Sequence, residues 1–282
     1  MRTPSLRSLA FACLASGLLL TTACKRDSDA APDEDITSAE DRSEDNSETA
    51  ISADLMTAAR PQDATVNNSP SVAGAAELSR IYGTCAKRTY DAQTNTATID
   101  FGPTNCLCPD GRYRRGKIII AFTTDIHTRR AGAVVTREAY FVNDNQHTAT
   151  RTFTDLGGGS FTVAVTNASI IRANNGGTHS WTANWTFTQT AGYGTTITSD
   201  DVYSVTGGAS GTNRKNVTYT TTIQMPLIKR GDCYKYFVAG TVSITNANNK
   251  TLLLNYDPSG TQSCDNIASV TVNGRTRTII LR

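Results

Sequence analysis

Three observations predict an all-β fold, an antiparallel meander of about eleven or twelve strands. Charged residues make up 18% of the 282, below the roughly 25% usual in soluble globular chains. Thr and Asn take their place, and Thr suits a pleated strand with one face in water. Apolar and polar residues alternate with period two in several runs separated by Gly- and Asn-rich turns. After residue 23 no long apolar helical repeat occurs.

Residues 1–23 are of another kind. Arg2 and Arg7 give a basic start, Leu9 to Leu20 is apolar apart from Ser16 and Gly17, and Thr21, Thr22 and Ala23 precede Cys24. A basic start, a short apolar core and small residues describe a secretory signal. The apolar run is short for a bilayer span. A cysteine directly after the small residues makes Cys24 the expected lipid acceptor, although Thr21 stands where Leu is usual in such signals. Cys13 is a weaker acceptor, because cleavage there would leave most of the apolar core in place.

Residues 24–74 read as the lipidated cysteine and a disordered acidic tether. From 25 to 54 there are eleven acids, three bases and no aromatic residue. Such composition alone cannot bury enough apolar surface to offset the entropy of ordering.

Residues 75–282 read as a single β domain. In Trp181 to Thr188 the odd positions are Trp, Ala, Trp and Phe, and the even positions are polar. Val217, Tyr219, Ile223 and Met225 alternate with Thr218, Thr220, Thr222 and Gln224. Lys117 to Phe122 reads as a strand buried on both faces. Asn273-Gly274 between two strand-like runs predicts a tight hairpin, because both residues tolerate positive φ. Short connections favour antiparallel neighbours and leave barrel, curved open sheet and sandwich open.

Lys25-Arg26-Asp27-Ser28-Asp29 after Cys24, with Ile99-Asp100-Phe101-Gly102 and Cys264-Asp265-Asn266 further on, resembles surface and outer-membrane lipoproteins of the Bacteroidetes type. The resemblance implies attachment to the outer membrane through lipid at Cys24, with a periplasmic or surface-exposed β domain. It brings no activity with it.

Five cysteines remain after Cys13 and Cys24, in an oxidising compartment where disulfides are the default. Cys85 and Cys233 each precede a hairpin, an aromatic residue, a proline turn and a second cysteine. This echo pairs Cys85 with Cys106 and Cys233 with Cys264. Cys108 is left over, or Cys106 if those two exchange.

No nucleophile elbow, phosphate loop or metalloprotease motif occurs, so no catalytic residue, metal or cofactor is expected. Cys106-Leu107-Cys108 has the wrong spacing for common zinc pairs. His127, His147 and His179 sit in Thr-rich runs and read as solvated strand positions. Trp181, Trp185 and Phe187 share one face, either a core stripe or a sugar-stacking platform, and the polar opposite face favours the core.

Arg112, Arg114, Arg115 and Lys117, with Arg129 and Arg130 on the next turn, form a candidate anion-binding patch on a net basic domain. The alternatives are plain solubility and capture by the chain's own acidic segment. The leading reading is a binding or structural module of the cell envelope. Its partner would be an acidic glycan or envelope protein, not a nucleic acid. The runner-up is a glycan- or peptide-processing hydrolase whose carboxylates, Asp100, Asp110, Asp200 and Asp265, converge only in the fold.

Overall fold

The computed structural model describes residues 35–59, 70–124, 132–195 and 197–281. The signal segment, Cys24, His127, Arg129 and Arg130 lie outside the described residues.

Each alternating run pairs with its neighbour in sequence, which is what short turns enforce. The strands are β1 (Lys87–Asp91), β2 (Thr96–Asp100), β3 (Cys106–Leu107), β4 (Tyr113–Phe122), β5 (Ala133–Val142), β6 (Asn145–Gly157) and β7 (Ser160–Ile171). They continue with β8 (Thr178–Ala191), β9 (Val202–Thr212), β10 (Thr218–Arg230), β11 (Ala239–Asn246), β12 (Thr251–Asn255), β13 (Ile267–Val272) and β14 (Arg275–Ile280). All 14 belong to one antiparallel sheet in meander order, with the two-residue β3 added alongside β4. β1 and β14 stand at opposite ends of that order, so the sheet is not closed into a barrel.

The predicted alternation is seen most cleanly in β8. Trp181, Ala183, Trp185 and Phe187 are buried, and Thr182, Asn184 and Thr188 are exposed. β4 differs from its expectation: Ile118, Ile120 and Phe122 are buried while Lys117, Ile119 and Ala121 are only half-buried. In β10 the register shifts between Ile223 and Met225, and Met225 turns out to solvent. The last hairpin is as expected, with positive φ at Asn273 and Gly274 and Val272 paired to Arg275.

The main departure concerns the acidic segment. Thr37–Ala50 forms a helix, α1, and every residue of it except Glu40 is buried. Two shorter helices follow, α2 (Ser52–Ala58) and α3 (Pro70–Tyr82). The compact unit therefore begins at Asp35 rather than at residue 75, and from 35 to 59 the expected spacer is folded structure. α1 reaches β5 through Glu48 and Arg137, β8 through Arg42 and Trp185, and the end of β12 through Asn46 and Tyr256. A helix of 14 residues meets strands that far apart only because the sheet curls around it.

Two disulfides brace the ends of the sheet, Cys85–Cys106 and Cys233–Cys264, with Cα separations of 5.6 and 5.5 Å. Among the described residues Cys108 is the free thiol, and it is buried. Each bridge closes a loop of 21 or 31 residues and is expected to stabilise the fold by roughly 3 kcal/mol.

Candidate functional site: the arginine-lined interior of the sheet

In β6 the residues His147, Ala149, Arg151 and Phe153 are buried, and Thr148, Thr150, Thr152 and Thr154 lie on the other face. Period two thus turns Arg151 inward beside an aromatic residue. Arg137 of β5, Arg172 just after β7 and Arg214 just after β9 also face the interior. Their partners are the acids of α1. Glu48 lies against Arg137, and 4.0 Å from Arg151. Arg172 reaches Asp41 at 2.8 Å and Glu44 at 2.5 Å. Arg214 meets Glu40 and Asp41 through its guanidinium, and its backbone N–H donates to Asp41 at 2.8 Å. Arg42, on the helix itself, lies against Asp45 and 4.4 Å over the Trp185 ring. The helix is thus buried by charge complementarity, which offsets a desolvation cost that few polar helices could meet.

Burial pushes the Glu48 carboxyl up, but Arg137, His147 and Arg151 outweigh it and hold the group well below the usual carboxylate range. Burial pulls Arg151 down to about 9, and neighbouring Arg137 pulls it further the same way.

Of the expected anion patch, the four described residues Arg112, Arg114, Arg115 and Lys117 do not share one face. Arg114 is buried and makes two bonds to Asp110 at 2.7 and 2.6 Å, with a third to the Tyr140 hydroxyl at 3.2 Å. Arg115 pairs with Asp144 on the outer side at 2.5 Å. Lys117 lies 3.7 Å from Glu138. Alternation, together with a register shift between Arg115 and Lys117, sends neighbours to different faces. Arg112, like Arg114, turns toward the sheet interior, where it adds to the field at Glu48 and His147.

His147 and His179 are also not where expected. Both are buried, because their Thr neighbours take the outer face. His179 bonds the Tyr219 hydroxyl at 2.7 Å and stacks on Trp181 at 4.6 Å. Burial pulls His147 down to about 3 and His179 to about 4. Glu48 opposes this at His147, while Arg137, Arg151 and Arg112 add to it. Asp41 opposes it at His179, while Arg42, Arg172 and Arg214 add to it.

Each folded-state value lies below the roughly 6.5 of an unfolded histidine. The stability they contribute is therefore complete above that pH and is lost as pH falls toward 4 and then 3. Wild type should lose roughly 1.4 kcal/mol per pH unit per histidine over this window. His147→Met should flatten the slope in urea titrations between pH 7 and pH 4.5. Equal slopes in the two proteins would show that His147 does not titrate in this way.

Trp181 and Trp185 are 3% and 1% exposed, which makes them core rather than a platform. Each of the four carboxylates of the hydrolase reading has a bonding partner of its own. Asp100 accepts from the Gly102 N–H, Asp110 pairs with Arg114, Asp200 accepts from the Thr195 hydroxyl, and Asp265 accepts from the Ile267 N–H.

Among the described residues, two cavities are of ligand size. One, of about 660 Å³, runs over Ser180, Thr182, Ser210, Thr220 and Thr245 and has no charged residue in its wall. The other, of about 380 Å³, opens at the arginine-lined interior and includes Arg112, His147 and Arg172.

Compared with protein families, curated proteins and solved structures, the chain matches none.

Proposed function

We propose that this chain is a lipid-anchored lipoprotein of the outer membrane whose β unit is a binding module for an acidic glycan. The observation that carries the binding part is a charge surplus in the interior. Around Glu48 and Asp110, two carboxylates, stand four guanidinium groups: Arg112, Arg114, Arg137 and Arg151. α1 neutralises its own end of the sheet, at Arg172 and Arg214, more fully than it does this one. A preorganised positive cradle of low dielectric favours an anion over a neutral ligand. The anchoring part rests on the signal segment, on Cys24 and on the resemblance to Bacteroidetes lipoproteins.

Fatty-acid labelling in cells should tag the wild type and leave Cys24→Ala untagged. The purified protein should be retained on immobilised polygalacturonate and released by salt, while a neutral polysaccharide retains nothing. Equal labelling of both proteins would remove the anchor. Equal retention on both polymers would remove the acidic ligand.

A further inference from the structure

The 380 Å³ cavity lies within the size range of small-molecule sites. Its wall holds three kinds of buried nitrogen with no hydrogen-bond partner among the described residues. These are Nη2 of Arg112, Nε of Arg172, and both ring nitrogens of His147. His147 is 2% exposed and lies in the cavity wall. A buried donor without an acceptor costs about 1–3 kcal/mol, and such groups together in one wall mark a place built for an acceptor.

Two carboxylates, Glu44 and Asp110, also touch the cavity, and both are already committed. Glu44 binds Arg172 Nη2 at 2.5 Å, and Asp110 holds Arg114 through both oxygens. Neither repels an incoming anion as a free carboxylate would. Asn143 and Asn145, also in the wall, commit their side-chain oxygens to the backbone N–H groups of Tyr113 and Ala173, each within 3.0 Å. Their amide –NH2 groups stay uncommitted among the described residues and can donate to hydroxyl oxygens. Tyr236 supplies a half-buried ring.

We infer that this cavity binds one carboxylate-bearing sugar unit, a hexuronate. The carboxylate lies between Arg112 and Arg172 with a His147 N–H donating to it, and the sugar hydroxyls face the two asparagines. Arg forks match a planar carboxylate. This rests on the acidic-glycan reading and gives it a place. It differs from the surface patch in its residues, because Arg115 and Lys117 take no part.

The test is calorimetric titration of the full chain with galacturonate, inorganic phosphate and galactose. Galacturonate should bind saturably with a dissociation constant on the order of mM or tighter, phosphate should compete with it, and galactose should give no heat. Arg112→Gln should weaken galacturonate by about tenfold or more. Arg115→Gln should bind as wild type does.

A readout that needs no variant is the nitrogen spectrum of the His147 ring, which should shift with galacturonate and not with galactose. Phosphate binding without galacturonate would overturn the sugar and leave only an anion hole. Heat from galactose equal to that from galacturonate, or an unmoved His147, would overturn the site itself. Retention on polygalacturonate with no monomer binding here would remove this cavity while leaving the wider reading intact.

Discussion

Glu48→Ala is expected to cost about 3–5 kcal/mol of folding stability, read by urea denaturation at pH 7. The variant leaves two buried guanidinium groups, Arg137 and Arg151, each with a side chain 3% exposed, facing each other without their carboxylate. The expense comes from stranding these charges more than from losing a bond. Converting the whole group to apolar residues, Glu48→Leu with Arg137→Met and Arg151→Met, should therefore recover most of the loss.

The same carboxylate sets an acid limb. Its folded-state value lies below its unfolded one, so its contribution is present above about pH 4.3 and is lost as pH falls further. A loss below about 1 kcal/mol for Glu48→Ala, a value typical of exposed pairs, would mean that Arg137 and Arg151 reach water and that α1 is not locked by charge.

Trp185→Ala should cost about as much, roughly 3–5 kcal/mol, by a different route. The ring is 1% exposed and fills the space between β8 and the helix, with the Arg42 guanidinium 4.4 Å above it. Its removal leaves a cavity against a charged side chain, which cannot relax into it as an apolar group would. Both the thermal midpoint and the urea midpoint should fall, while Thr182→Ala on the outer face of the same strand should change little. If Trp185→Ala kept its stability and lost retention on polysaccharide, the indole would be a ligand platform instead of core.

The sheet was legible because its signals are local. Period two along β8, turns of Asn and Gly, and the echo around Cys85 and Cys233 all depend on residues close in sequence. The structure has two or three more strands than expected, partly because β3 is only two residues long and carries no alternation to read.

The interior was missed because its signal is not local. Composition over 25–54 says that the segment cannot fold by itself, and it does not: its partners are Arg137, Arg151, Arg172 and Arg214, all more than eighty residues away. A sign was present in β6. His147 and Arg151 keep step with Ala149 and Phe153, so a strand that buries its Phe must bury its Arg as well. The charge cluster from Arg112 to Lys117 is a weaker guide, since adjacent residues on a strand face opposite ways.

A helix enclosed by strands that come later in the chain imposes an order of events on folding. α1 is polar all round, and at 14 residues such a helix is marginal in water. Its bonds span long stretches of chain: Glu48 to Arg137 is 89 residues, Asp41 to Arg214 is 173, and Asn46 to Tyr256 is 210. A helix that precedes every strand in the chain therefore gains its last partner only when nearly the whole sheet exists. Such distant closures slow the approach to the native state. Until the later strands arrive, the inward arginines of β5 and β6 and the acids of α1 remain hydrated, and the protein is a sheet without its centre.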